Sequence, residues 1–271
     1  MITRNEIIAE INNRGFVAQR TTAIKNGIEK EGITIKRSAT DKVAPTLYTS
    51  DFVNDGYKTA ADIAEEMLAI YERCNMNFDL SIFSDRDYIL SHIRIGLQAK
   101  GREEIVKRES ELFEDCEEYL YISGSRDNEN FSVKLKKEML INADVAFNIA
   151  WSMAEKNNHE ETTIQPLFSI VSNIIGADAI TDELAPIYVV SNKTNFRGAS
   201  NITDRRAIKQ LADNIGVHEF VILPSSIHEC ILVPKTEDTD MEVFENMVNE
   251  VNSTVVSPED KLIDRVYTLT A

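Results

Sequence analysis

The chain has 271 residues, of which 43% are hydrophobic and 27% charged, and this composition excludes a wholly disordered protein. Its formal net charge of −16 argues against direct binding to nucleic acid or to an anionic membrane surface, because both carry the same sign of charge. The acidic balance favours a basic protein partner instead.

The apolar segments and the cysteines predict a soluble cytoplasmic protein. No run approaches the roughly 20 apolar residues that span a bilayer, and the first residues lack the apolar core of a signal peptide. Cys74, Cys116 and Cys230 are an odd number of cysteines without CxxC spacing, which suits a reducing compartment better than a disulfide framework.

A capped helix is predicted at the start of the chain. Isoleucines recur at helical spacing after Thr3, and Glu6 stands at the capping-box position, so we expect a helix over residues 3–14.

The next predicted element is a β-hairpin. Asn26-Gly27 between β-rich flanks predicts strands near residues 16–24 and 28–37, with Gly32 as a candidate bulge in the returning strand.

Periodicity and capping signals predict the elements that follow. Helices are expected over residues 59–73, 136–153 (one long or two short helices), 166–175, 203–215 and 241–251. Pro166 is expected at the first position of the third of these helices, and Gly176 is expected to end it. Strands are expected over residues 87–98, 119–123, 131–135 and 187–191, with weak strand character over 258–271. Residues 109–118, which hold six acidic side chains, are expected to be a solvated loop or helix.

A second predicted hairpin, over residues 219–233, organises the C-terminal part of the chain. Its two apolar runs are separated by Pro224-Ser225-Ser226. The run 220–223 has no polar residue, so this arm should be covered on both faces and central in its sheet. Together these elements predict an α+β fold of antiparallel sheets with helices packed on a face. We expect two closely packed halves, residues 1–125 and 126–271.

Four stretches of the chain resemble a known but uncharacterised family. They are KNGIEKEGITI, PTLY, SNKTNFRGA and ILPSSIHECILVP. Together they are similar to a domain-of-unknown-function family of gut Firmicutes that is often found on integrative elements and prophages. The resemblance covers nearly the whole chain, and it implies no activity and no catalytic residue.

One cluster of residues supports a catalytic hypothesis. Ser225 and Ser226 stand near His228 and Glu229, and a hydroxyl beside an imidazole and a carboxylate is the material of covalent catalysis. On a regular strand, however, His228 and Glu229 would point to opposite faces, and no GxSxG elbow surrounds the serines. Turn serines with a hydrogen-bonded histidine are the preferred interpretation, and an enzyme that uses this hairpin on a small substrate is the alternative.

No cofactor or metal is predicted from local spacing. The four histidines show no HxxH or HExxH pattern, and the glycines form no phosphate-binding loop. Five basic residues form a local exception to the acidic chain, and we interpret them as a solvated surface rather than a phosphate site. They are Lys193, Arg197, Arg205, Arg206 and Lys209.

The leading functional prediction is a non-enzymatic interaction protein whose carboxylates bind a basic partner. One concrete form is an anti-defence factor of a mobile element that blocks the nucleic-acid site of a host protein; a structural oligomer is a third class. The predicted contact residues lie in two acidic segments: Glu109, Glu111, Glu114, Asp115, Glu117 and Glu118 in the first, and Asp238, Asp240, Glu242 and Glu245 in the second.

Overall fold

The computed structural model describes residues 2–41, 43–52, 58–73, 79–126, 129–175, 186–224 and 226–271, with backbone alone for residues 126, 129, 130 and 172–175. The chain divides into two compact units, Met1–Leu80 and Ser81–Ala271. The fold is α+β with antiparallel sheets, as predicted. The expected boundary at 125/126 falls inside a strand that pairs with the next strand along the chain, whereas the observed division lies at residue 80.

The first unit packs two helices with a three-stranded antiparallel sheet of order β1-β2-β3. Its elements are α1 (Arg4–Asn13), β1 (Val17–Lys25), β2 (Ile28–Lys36), β3 (Thr46–Tyr48) and α2 (Ala60–Arg73). The predicted capping box is present, because Thr3 Oγ1 accepts from Glu6 N and the Glu6 carboxylate accepts from Thr3 N. The core buries isoleucines from α1 and β2 against Ile63 and Met67 of α2.

The hairpin of β1 and β2 turns at the predicted dipeptide. Asn26 and Gly27 have φ angles of 49° and 78°, the left-handed conformation that a two-residue hairpin loop requires. The expected bulge at Gly32 is wrong, since Gly32 pairs in regular register with Thr21. A Cβ at Gly32 would lie 2.9 Å from the carbonyl oxygen of Leu47, so the close approach of β3 explains the glycine.

The second unit contains two further sheets and six helices among the residues that the structure describes. Its first part consists of α3 (Arg86–His92), β4 (Ile93–Ala99), β5 (Lys107–Glu109), β6 (Cys116–Arg126), β7 (Glu129–Lys134), α4 (Lys137–Asn142), α5 (Phe147–Glu161), β8 (Thr162–Pro166) and α6 (Leu167–Ile175). Its second part consists of β9 (Tyr188–Asn192), a 3-10 turn (Gly198–Thr203), α7 (Arg205–Ile215), β10 (Glu219–Leu223), β11 (Cys230–Pro234), α8 (Met241–Thr254) and β12 (Tyr267–Thr270).

The predicted C-terminal hairpin is confirmed as the centre of a five-stranded antiparallel sheet. The strand order is β12-β10-β11-β9-β8, and β11 is the middle strand. Phe220 and Ile222 of β10 lie in one buried cluster with α7, whereas Val221 and Leu223 lie in another with Val248 of α8. Helices therefore cover both faces of this sheet, which explains why β10 has no polar residue between its ends.

The other sheet has β6 between β4 and β5, and β7 also pairs with β6. The strand expected over residues 87–98 is wrong in its first half, because α3 extends to His92 before β4 begins. The Asp85 carboxylate caps that helix by accepting from Tyr88 N at 2.8 Å. Ile89 and Ile93 are four residues apart, so their spacing fitted a helix as well as an alternating strand.

Three further outcomes concern the second half of the chain. The helical pattern after Lys136 forms two helices, α4 and α5, which is one of the two predicted arrangements. Pro166 does not open a helix but ends strand β8, which the sequence did not predict. Gly176, expected to end α6, lies outside the described residues.

Candidate functional site

His228 lies in the turn between β10 and β11, and both of its ring nitrogens face a partner. Nδ1 accepts a hydrogen bond from the backbone N–H of Arg197 at 3.2 Å. Nε2 lies 3.5 Å from Asp260 Oδ1. A nitrogen that accepts an N–H is unprotonated, so the neutral ring carries its proton on Nε2, toward Asp260. The imidazole therefore holds the Arg197 backbone in place and has no free basic nitrogen.

The neighbouring polar residues also form local contacts. Ser226 Oγ accepts from the backbone N–H of His228 at 3.0 Å, and Ser225 lies outside the described residues. Burial raises the pKa of the Glu229 carboxyl, while the neighbouring His228 and a hydrogen bond with Ser226 act in the opposite direction. The expectation that His228 lies on a regular strand is wrong, but the preferred interpretation of a hydrogen-bonded turn matches this geometry.

The loop from Asn192 to Arg197 is held by one asparagine side chain. Asn192 Oδ1 accepts from the backbone N–H of Thr194 at 3.1 Å and of Phe196 at 3.2 Å, and its Nδ2 donates to Phe196 O at 2.8 Å. Arg197 follows in the left-handed conformation, with φ of 55°. A Cβ at Gly198 would lie 2.4 Å from Ser191 Oγ, so only glycine fits after Arg197.

Buried amides fix the turn that follows this loop. The side chain of Asn158 in α5 accepts from Ile95 N at 3.0 Å and donates to Ile95 O at 3.1 Å, as a neighbouring strand would. Asn201 Nδ2 donates to Asn158 O at 2.9 Å. Because buried polar groups without partners are costly, these bonds tie residues 198–203 firmly to β4 and α5.

Arg197 contacts the most deeply buried tyrosine of β6. Its Nη1 donates to the hydroxyl of Tyr119 at 2.5 Å. Tyr119 is fully buried, and burial raises the pKa of its hydroxyl although the charge of Arg197 opposes the shift. The phenol therefore stays protonated over the physiological range.

A set of charged side chains surrounds Tyr119. Lys134 Nζ lies 4.9 Å from the centroid of the Tyr119 ring and donates to Gln98 Oε1 at 2.7 Å and Glu103 Oε2 at 2.5 Å. Burial lowers the pKa of Lys134, and Glu103 counteracts it. We call this set the polar centre. Its members are Gln98, Glu103, Lys107, Glu117, Tyr119, Lys134 and Arg197.

Two buried atoms of the polar centre have no hydrogen-bond partner within the described ranges. They are Glu103 Oε1, an acceptor, and Arg197 Nε, a donor. Only Arg197 and Glu117 of this set belong to charged clusters that are visible in the sequence. The other members are far apart in the chain and have no common spacing, so no local pattern could have identified them.

The ten acidic residues predicted to bind a partner differ in exposure. Glu117 and Glu118 are buried on β6, so the expectation of a solvated segment is wrong for both. Their partners come from the adjacent β5: Lys107 Nζ lies 2.9 Å from Glu117 Oε2, and Arg108 Nε lies 2.8 Å from Glu118 Oε2. The exposed members are Glu109, Glu111, Glu114, Asp115, Asp238, Asp240, Glu242 and Glu245.

The two acidic segments differ in their ion pairs. In the first, Glu109 pairs with Lys100, and Asp115 Oδ2 lies 3.1 Å from Arg265 Nη1. In the second, none of the four predicted carboxylates forms an ion pair with any residue that the structure describes. Asp240 is the N-cap of α8 and accepts from Glu242 N at 3.0 Å.

The structure places the two acidic segments on opposite faces of the five-stranded sheet. Phe113, from the first segment, packs in the buried cluster that contains Phe220 and Ile222. Helix α8, which carries most of the second segment, packs through Val248 against Val221 on the other face. A single flat partner surface could not contact both.

The basic residues around α7 are already engaged. Arg205 Nη1 donates to Thr270 O at 3.2 Å, Arg206 Nε lies 3.5 Å from Asp204 Oδ1, and Lys209 pairs with Asp213 at 2.8 Å. Their side chains line the solvated side of α7, in agreement with the interpretation as a solvated surface. That interpretation is wrong for Arg197, because its side chain bonds to the buried Tyr119 and its Nε is buried.

No group of three or more His, Cys, Asp or Glu side chains in the described ranges could hold a metal ion. Cys116 and Cys230 are buried free thiols, and Cys74 lies outside these ranges. Among the same residues, no helix has the length and apolar character to cross a membrane.

Comparison with known protein families gives a match over nearly the whole chain. A family model described as "Family of unknown function (DUF5688)" matches residues 3–270. No curated protein and no solved structure matches.

Proposed function

We propose that this chain, which belongs to the family of unknown function DUF5688, is a non-enzymatic interaction protein that binds a basic surface of a protein partner through exposed carboxylates. The observation that carries the proposal is the stretch of residues 236–260, which contains eight Asp or Glu residues and no Lys, Arg or His. Six of them are exposed, including the four predicted contact residues Asp238, Asp240, Glu242 and Glu245.

The physical basis is the negative field of Asp238, Asp240, Glu242 and Glu245, which form no ion pair with any described residue. Clustered exposed carboxylates raise the rate of encounter with a basic surface, and like charges repel acidic competitors. Such contacts are screened over a Debye length of about 8 Å at physiological salt. The interaction is therefore expected to be salt-sensitive.

The two acidic segments differ in how many of their carboxylates are available to a partner. In the first, Glu109 and Asp115 already have cationic neighbours, and Glu117 and Glu118 are buried. Their charges are partly neutralised before any partner arrives. The second segment, on and before α8, is therefore the principal contact.

The enzyme alternative has less support. A general base needs a nitrogen free to take a proton, and both ring nitrogens of His228 face other groups, Arg197 N and Asp260. Ser226 Oγ is bonded to the His228 backbone rather than to its ring.

A narrower form of the proposal concerns the identity of the partner. In this form, the basic surface is the nucleic-acid site of a host defence protein. This protein, carried on a mobile element of gut Firmicutes, blocks that site. Carboxylates and phosphates are attracted to the same basic groove, which supports this form. DNA or RNA should then compete with this protein for the captured partner.

The test is affinity capture from the native host with three immobilised proteins. The first is the wild type, and the second carries Asp238→Asn, Asp240→Asn, Glu242→Gln and Glu245→Gln. The Asp240→Asn change keeps a side-chain oxygen that can cap α8, because asparagine is as good an N-cap residue as aspartate. The third is a matched control with the same change in net charge at exposed sites elsewhere: Glu29→Gln, Glu72→Gln, Glu104→Gln and Glu138→Gln.

A partner retained by the wild type and the control but lost from the second protein is the expected result. Equal capture by all three would overturn the proposal.

A further inference from the structure

Helix α8 carries an exposed apolar stripe on the same segment as the unpaired carboxylates. Val243, Met247 and Val251 are spaced by four residues, so they lie along one face of the helix. Their exposed fractions are 53%, 46% and 37%. The stripe spans nine residues, and the eight steps between its ends cover about 12 Å at the helical rise. The sequence had identified α8 only as an acidic helix.

The stripe borders a half-open apolar cavity. The cavity has a volume of about 150 Å³ and lies between α8 and the five-stranded sheet. Leu223 and Ile231, which pair across β10 and β11, line its sheet side, and Phe244, Met247 and Val251 line its helix side. Met247 and Val251 thus belong to both the stripe and the cavity, which together form one continuous surface that we call the α8 groove.

The charges around the α8 groove are negative along the helix. Glu250 is three residues from Met247 and therefore lies beside the stripe. The stretch of residues 236–260, which includes α8, contains eight acids and no Lys, Arg or His. A ligand for this surface must combine apolar groups with positive charge.

We propose that the α8 groove binds an amphipathic basic helix of the protein partner. A cavity of 150 Å³ lined by apolar side chains accommodates a group of about the size of benzene, so one Phe or Leu of the partner enters it as an anchor. The stripe matches the apolar face of a helix, whose anchors recur at three- and four-residue spacing. Lysine and arginine on the flanks of that helix face Glu250 and the carboxylates before α8.

This inference rests on the proposed function, because it names the surface and the structural class of the basic partner. It also goes further, since simple charge attraction requires no apolar contact. The two claims can therefore fail separately.

The test uses a fluorescent amphipathic peptide of ~18 residues, long enough to form a helix, with Leu and Phe on one face and Lys on the other. One control peptide replaces every Lys with Glu, and a second replaces every Leu and Phe with Gln. Binding is measured by anisotropy to the wild type, to the double variant Met247→Gln/Val251→Gln and to Val243→Gln. The matched control protein is Ile141→Gln, which changes a 67% exposed apolar residue of α4. Val243→Gln lies outside the cavity lining and remains informative if the double variant folds poorly.

The expected result is that the Lys peptide binds at least about tenfold more tightly than either control peptide. Both groove variants should weaken that binding by about tenfold or more, and Ile141→Gln should leave it unchanged. A Lys peptide that fails to bind, or that binds groove variants and wild type equally, would overturn the groove proposal. A different outcome is that the peptide with Gln in place of Leu and Phe binds as well as the Lys peptide, and that this binding requires Asp238 to Glu245. That result would support the acidic interaction and contradict the groove proposal. Equal binding of the Glu peptide would mean a purely apolar site, which also contradicts the inference.

Discussion

The hydroxyl of Tyr119 accepts a hydrogen bond from Arg197 at 2.5 Å, and this bond joins the middle strand of one sheet to the loop that leaves the other. Arg197 holds its position because Asn192 orders the loop before it and His228 accepts its backbone N–H. The bond is therefore an element of the fold of the second unit, and it can be tested as such.

Tyr119→Phe should destabilise the protein by about 1–3 kcal/mol, because Arg197, whose Nε has no partner among the described residues, would lose its buried acceptor. Urea unfolding measures the effect. Tyr267→Phe is the matched control: the Tyr267 hydroxyl is buried without a partner among the described residues, so its removal should be neutral or stabilising. Equal effects of the two substitutions would show that the bond to Arg197 contributes nothing.

Gly96→Ala should also destabilise the second unit. Gly96 lies directly opposite Tyr119 in the pairing of β4 and β6, and a Cβ there would lie 2.5 Å from the Tyr119 ring. The expected cost is about 1–3 kcal/mol for forcing the ring or the strand to move. Gly101→Ala, where the nearest atoms would be 3.8 Å away, should be close to neutral in the same urea titration. A neutral Gly96→Ala would mean that the ring moves freely.

The pH dependence of stability should report the burial of Glu118. Burial raises the pKa of its carboxyl above the ordinary 4.5, although Arg108 opposes the shift. The folded state then binds the proton more tightly than the unfolded state, and this preference stabilises the fold. The stabilisation from Glu118 is complete below pH 4.5 and is lost as pH rises through the folded pKa. The stability difference between wild type and Glu118→Gln should therefore fall as pH rises from below 4.5 toward neutrality.

The variant Glu6→Gln should show the opposite pH dependence of stability. Hydrogen bonds from Thr3 lower the pKa of Glu6, so the contribution of Glu6 is lost as pH falls through its folded pKa. The difference in stability between wild type and Glu6→Gln should rise with pH below 4.5, whereas the difference for Glu118→Gln falls above 4.5. If the Glu118→Gln difference also rose with pH, the ion pair with Arg108 would outweigh burial.

Two neighbours on β11 should respond differently to truncation. Leu232 is fully buried in the cluster that includes Phe220, so Leu232→Ala should cost about 2–5 kcal/mol. Ile231 is half-buried and lines the open cavity, so Ile231→Ala should cost clearly less. Thermal and urea unfolding compare them. Equal losses would mean that the cavity beside α8 is closed in solution.

Local signals in the sequence predicted the elements whose determinants are local. The Thr3–Glu6 capping box, the Asn26-Gly27 turn and the apolar run of β10 each lie within a few residues, and each was predicted correctly. Glu117 and Glu118 were placed in solvent because the cations that pair with them belong to another strand. Pairing between strands is a tertiary property, and no spacing along the chain encodes it.

The candidate sites, like the secondary structure, could be predicted only where their residues are close together in the sequence. The carboxylates near α8 were found from composition alone, and the stripe of Val243, Met247 and Val251 could have been found from its four-residue spacing. The polar centre could not, because its side chains come from four strands and two loops. Charge counting also could not reveal that the acidic segments lie on opposite faces of one sheet.

The salt dependence of affinity tests the central claim most directly. The dissociation constant of the captured partner is measured from about 50 mM to about 500 mM salt, a range over which the Debye length falls severalfold. Wild type and the Glu29/Glu72/Glu104/Glu138 control should lose affinity steadily as salt rises. The variant neutralised at Asp238, Asp240, Glu242 and Glu245 should bind more weakly at low salt and show a much shallower slope. A partner that binds all three proteins equally well, at low and at high salt, would contradict the acidic-interaction account.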